Sequence, residues 1–306
     1  MDLSTSSSGA NDTEEEMLLI NISDVPNVLL IIAIVIDFIS TSLLLFSLAK
    51  GRMIFWKRPF YKLFVQLVVA NFLVVTAQIL LYSSGRSLLV SKFLEEMADQ
   101  LTSTFLAVIA VQRLAVFVKP QLSEVVFSRL RTNYVIMVCW LLLSALSVSL
   151  MLSDCGYHFS TSNSHYEYSC NAVSLHRSLL IRHLLTLQKT IYLLVIIVCY
   201  SIIFTRTRDC HSVRVDFGEK EILNETRVMT FLFQFTPFFK ALIYTRTFSE
   251  NFSSMGPTLV SASDLFIRAL ALLYVLLSSK DLRRFVRIRT STRLTLLNRP
   301  SSRTSN

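Results

Sequence analysis

The stretch Glu95–Pro120, EEMADQLTSTFLAVIAVQRLAVFVKP, decides how the whole chain is read. It is too long, and too apolar in its second half, to lie on a protein surface in water. From Leu101 to Val118 the strongly polar interruptions are Gln112 and Arg113, which fits a helix crossing the hydrocarbon of a bilayer. Three acids (Glu95, Glu96, Asp99) sit at one end and a lone arginine at the other. Arg113 is either an interfacial anchor reaching the lipid headgroups or a working group, because ionisable side chains within spans tend to mark function.

Composition supports the membrane reading. The chain has 306 residues, 52% of them hydrophobic and 17% charged, with a mean hydropathy of +0.52. This excludes disorder and an ordinary cytosolic enzyme, and indicates a polytopic membrane protein. The net charge of +9 does not point to nucleic acid once its location is considered. Acids crowd the N-terminus (Asp2, Asp12, Glu14, Glu15, Glu16, Asp24), and the tail carries Lys280, Arg283, Arg284, Arg287, Arg289, Arg293, Arg299 and Arg303 against Asp281. The positive-inside bias places the N-terminus outside and the tail in the cytosol. The first 24 residues are polar and acidic, unlike a cleavable signal peptide, so the first span is expected to serve as its own signal.

The expected fold class is an all-α membrane protein: a seven-transmembrane helix bundle with a short amphipathic eighth helix. Residues 1–24 form the extracellular segment, 25–278 the bundle and 279–306 the cytoplasmic tail. Spans are expected at Val25–Ala49 (with Asp37), Pro59–Tyr82, the stretch quoted above, Tyr134–Leu152, His183–Phe204, Thr226–Tyr244 and Met255–Leu277. The sequons at Asn11, Asn21 and Asn251 fall outside and are candidate glycosylation sites, whereas Asn224 falls in the cytosol and is expected to stay unmodified. Cys155 and Cys170 share the longest outside loop, in an oxidising compartment. A bridge between them would close a fifteen-residue loop and stabilise by about 3 kcal/mol on the chain-entropy model; two free thiols are the alternative. Cys139 and Cys199 read as packing residues, and Cys210 as a plain or palmitoylated thiol. The Ser and Thr residues of the tail are either kinase sites or ordinary disordered-tail composition.

Several spans carry a family resemblance. Arg113 and Pro120 match the D/E-R-Y-x-x-x-x-x-P end of the third helix in rhodopsin-like G-protein-coupled receptors, with Gln112 for the acid and Leu114 for the aromatic. Pro59 and Asn71 keep the separation of the second-helix pattern, with Asn71 where most members have a sodium-binding Asp. Trp140 stands where the fourth helix usually has one. Phe231, Phe235 and Pro237 resemble F-x-x-x-W-x-P, and Tyr274 followed by Lys280–Phe285 resembles N-P-x-x-Y and the eighth helix, without its Asn and Pro. The segments PFYKLF (59–64) and QRL (112–114) are similar to nematode serpentine chemoreceptors of the class G, V, U and X group.

That resemblance implies a plasma-membrane receptor of sensory cilia that binds a small odorant- or pheromone-like molecule and signals through a heterotrimeric G protein. It implies no enzyme activity, cofactor or metal. Glu95 holds the position of the amine counter-ion, with Asp99 one turn further on the same face; solvated acids at the interface are the alternative. Lys189 and Lys240 are their candidate partners, and Phe235, Phe238 and Phe239 the pocket floor, or plain packing. The activation groups are Arg113, Tyr200, Pro237 and Tyr274, with Glu219 or Glu221 as a weak resting restraint on Arg113. Asp264 and Arg268 are expected to pair, with Asp37 as a competing partner. Leu88 stands where the usual helix-3 cysteine would be, and Asp264 where a retinal pigment needs its lysine. A small-solute or ion transporter using Asp37, Asp99, Asp264 and Arg268 is the alternative, against which stand the missing internal repeats and broken helix pair.

Overall fold

A computed structural model of the chain describes residues 25–83, 88–151, 155–160, 165–170, 172–209, 217–245 and 256–286. These are almost entirely helical. In order they are α1 (Val25–Lys50), α2 (Arg52–Phe55), α3 (Pro59–Ser83), α4 (Leu88–Val118), α5 (Pro120–Val126) and α6 (Arg129–Met151). A hairpin of β1 (Cys155–Ser160) and β2 (His165–Cys170) follows, then α7 (Ala172–Asp209), α8 (Phe217–Thr245), α9 (Gly256–Ser278) and α10 (Lys280–Val286).

Local chemistry sets several of these boundaries. Pro120 clashes with a helical predecessor, so Lys119 is extended (φ −143°, ψ 80°) and α4 stops at Val118. The same proline then opens α5, where its missing N–H has no helical partner to lose. Pro59 opens α3 in the same way.

The central helix is α4, which packs against α3, α6, α7 and α8, while α9 packs against α1 and α8 and closes the ring. Among the described residues, six helices (α1, α3, α4, α6, α7 and α9) are long and apolar enough to cross a membrane. The 29-residue α8 is not in that set.

Polarity runs inside out compared with a protein folded in water. Leu130, Leu141, Leu142, Leu187 and Leu277 face outward, whereas Asp37, Asn71, Arg113, Asp264 and Arg268 are at most 2% exposed. Water would strip such apolar faces from view and solvate such charges; hydrocarbon does the opposite. The chain is a multi-pass membrane protein.

Some expectations are revised in detail. Helix α7 begins at Ala172, eleven residues before the expected span, because apolarity ends at the membrane edge while backbone hydrogen bonding does not. The long loop expected outside contains the β1–β2 hairpin, whose antiparallel register sets Cys155 opposite Cys170. The joining helices α2 and α5 gave no periodic signal at their lengths. Asn11, Asn21, Cys210, Asn251 and the tail beyond residue 286 lie outside the described residues.

Near the start of α3, Phe55 packs against Tyr61 (4.5 Å between ring centroids) and edge-on against Phe285 of α10 (5.3 Å). Two donors at the end of α1 hold α10 there. Ser47 Oγ donates to the Leu282 carbonyl (3.0 Å) and Lys50 Nζ to the Phe285 carbonyl (3.3 Å). The Phe285 carbonyl belongs to the last turn of α10, which has no intrahelical donor left for it.

Candidate functional site: two polar clusters on the central helix

Helix α4 carries polar side chains near both ends, and each end is tied to a different neighbour. At one end Arg268 of α9 donates from Nη2 to Asp99 Oδ1 (2.7 Å) and from Nε to Asp264 Oδ1 (2.8 Å). A second bond runs from Nη2 to Asp264 Oδ2 at 3.3 Å. The planar guanidinium fork lets one cation bind carboxylates on two helices, which a lysine point charge does less well. Lys189 of α7 lies 3.9 Å from Asp99 Oδ2. Arg268 is only 1% exposed, so its charge is tolerable there because both acids accompany it.

The pairing of Arg268 with Asp264 follows the i,i+4 expectation. Asp99 joins the same cluster, so a residue read as pocket and a pair read as structural are one network across α4, α7 and α9. Glu95 is partly buried on the same side, and Glu96 is exposed. Asp37, expected to compete for Arg268, instead accepts from Asn71 Nδ2 (2.9 Å), which also donates to Thr41 Oγ1 (2.9 Å). Asn71 on α3 and Thr41 on α1 both donate to its Oδ1, while its Oδ2 is buried with no hydrogen-bond partner among the described residues.

The aromatic floor is differently placed. Phe235 stacks on Phe231 (5.9 Å between ring centroids) and is 44% exposed on the outer side of α8. The structure brings it to a groove against α7 rather than to Asp99. The side chains of Phe238, Phe239, Lys240, Pro237 and Glu221 lie outside the described residues, although the α8 backbone remains helical through position 237.

At the other end Arg113 donates from Nη1 to Glu219 Oε2 of α8 at 2.7 Å. Its guanidinium carbon stands 4.3 Å from the Phe60 ring centroid, where the negative ring face attracts a cation. Arg113 Nε is buried with no hydrogen-bond partner among the described residues. A cavity of about 320 Å³ opens beside it, lined by Arg58, Phe60, Gln112, Glu124, Ser128 and Glu219. Tyr200 lies at the same level, its hydroxyl 3.2 Å from Thr230 Oγ1 of α8. Tyr274 is partly buried and packs on the main apolar core.

Two ties were missed in the sequence. Trp140 Nε1 donates to Gln66 Oε1 (2.9 Å), and Lys62 Nζ to Asn133 Oδ1 (2.9 Å), pinning α6 to α3. The usable signal was chemical: an indole N–H or an ammonium in a span needs an acceptor. Among the described residues, no three His, Cys, Asp or Glu side chains gather closely enough to hold a metal ion.

A helical bundle with apolar flanks and charge ties buried at both ends of its central helix defines a multi-pass membrane protein organised around α4. The chain belongs to the family described as protein of unknown function DUF621, whose pattern matches residues 24–296. No curated protein matches it.

Proposed function

We propose that this protein is a chemosensory G-protein-coupled receptor with seven membrane spans, α8 being the seventh helix in the count and the sixth in order. A small extracellular ligand binds between α4, α7, α8 and α9, and a heterotrimeric G protein engages the opposite end. The observation that carries this reading is the double anchoring of α4. Asp99 ties it to α7 and α9, and Arg113 ties it to the foot of α8. The two anchors are about 21 Å apart at 1.5 Å per residue.

A ligand that competes for Asp99 or Lys189 changes how α7 and α9 sit on α4. It thereby shifts an existing equilibrium between states in which Glu219 does and does not hold Arg113. No bond is made or broken by the protein. The N-terminus is extracellular, and α10 lies along the inner membrane surface. Asn11, Asn21 and Asn251 carry glycans, and Cys155 is bridged to Cys170. The opposed register of the two cysteines supports that bridge, since directly paired strand residues have Cα atoms about 4.5–5.5 Å apart, within disulfide range.

The test is an odorant panel applied to cells expressing the full chain, read by G-protein activation, and repeated on Glu95→Gln. A responding compound whose potency falls in the variant supports the receptor and its pocket. Solute or ion flux through proteoliposomes, with no G-protein activation by any compound, would replace it with a transporter.

A further inference from the structure

The described α7 and α8 are held apart along their outer sides by a groove of about 540 Å³, which includes Ile197, Phe204, Phe231 and Phe235 in its walls. On α7 the lining runs from Leu193 to Thr205, about 18 Å at 1.5 Å per residue. These apolar walls face the region that hydrocarbon occupies around a span; Phe231 is 66% exposed. One end differs in chemistry. Arg227 lines the groove there and is exposed, with no ion-pair partner among the described residues. The last turn of α7 adds Arg206 and Arg208 nearby in the chain. Of the acids lower on α8, Glu219 is committed to Arg113, and Glu225, two residues before Arg227, is buried.

We propose that this groove is a binding site for one anionic phospholipid, with its phosphate on Arg227 and an acyl chain along Phe231 and Phe235. The apolar length accepts a chain, and the unpaired guanidinium selects the headgroup, because an arginine fork matches phosphate oxygens. The site lies beside the Tyr200–Thr230 hydrogen bond, so occupancy bears on the α7–α8 spacing. It requires that α7 and α8 both face lipid along this groove, but no small ligand and no G protein, and so is tested separately from the receptor reading.

The full chain, reconstituted in nanodiscs, is labelled with a phosphatidylglycerol or a phosphatidylcholine carrying a photoreactive acyl chain, and the adducts are mapped to peptides. The expected result is labelling within 193–205 and 227–235, favouring phosphatidylglycerol by about fivefold, the ratio set by one basic side chain near an anionic surface. Arg227→Gln should remove that preference while labelling of the outer face of α6 stays as it was. Equal labelling by the two lipids, a preference that survives Arg227→Gln, or adducts spread evenly over α6 and α7 would each overturn the site.

Discussion

Arg268 binds two acids from two helices, so its loss would leave Asp99 and Asp264 facing each other without a described bridging cation. Removing one partner of a buried pair costs about 3–5 kcal/mol, because the remaining charge is uncompensated. Arg268→Gln is therefore expected to lose most of its monodisperse peak in detergent size-exclusion, while Arg268→Lys keeps part of it. An unchanged peak for Arg268→Gln would mean that the cluster contributes nothing to folding. Glu219 is less buried, its side chain 29% exposed, and water can partly replace it. Glu219→Gln should lower the thermal midpoint by an amount equivalent to about 1.5–3 kcal/mol, the range for hydrogen bonds to charged groups. On the receptor reading it should also raise ligand-free G-protein activation; equal basal activation at equal surface amounts would show that the pair does not restrain the resting state. The 2.7 Å bond to a nearly inaccessible guanidinium is the observation behind both expectations.

At the scale of elements, the joint between α1, α2 and α10 depends on one glycine. A Cβ at Gly51 would overlap the buried Phe55 ring and come within 3.1 Å of Phe285. Since the Phe55 ring is wedged between Tyr61 and Phe285, it has no free space to rotate into. Gly51→Ala is expected to destabilise by about 1–3 kcal/mol, as overpacking a filled core does, and to make the α10 backbone amides exchange faster with deuterium. Unchanged exchange in α10 would show that its seat does not depend on Phe55. The helices themselves were legible, because runs of apolar residues bounded by Pro59, Lys119–Pro120 and charged turns mark spans directly. The start of α7 and the short α2 and α5 were not, since four- to seven-residue helices and helix outside the bilayer lack a hydropathy signal.

Over the whole molecule, orientation and the hairpin can be tested together. Peptide mapping without reductant, on protein taken from membranes, should recover residues 155 and 170 as one cross-linked pair. An epitope at the N-terminus should be labelled on intact cells. Recovery of both cysteines as alkylatable thiols would remove the bridge, and labelling only after permeabilisation would reverse the orientation that the receptor reading needs.

The sequence by itself determined that the chain is a multi-pass helical membrane protein, because burial of apolar side chains in lipid is written in local composition. Helical spacing also pointed to the Asp264–Arg268 tie, and the family resemblance to Glu219 or Glu221 as the partner of Arg113. The tertiary structure decided that Asp99 joins the Arg268 cluster, that Asn71 rather than Arg268 takes Asp37, and that Phe235 faces the outer groove. Those outcomes depend on how helices rotate and approach one another: Asp37 and Asp99 are both remote from Arg268 in sequence, and only the packing decides which of them comes within bonding distance.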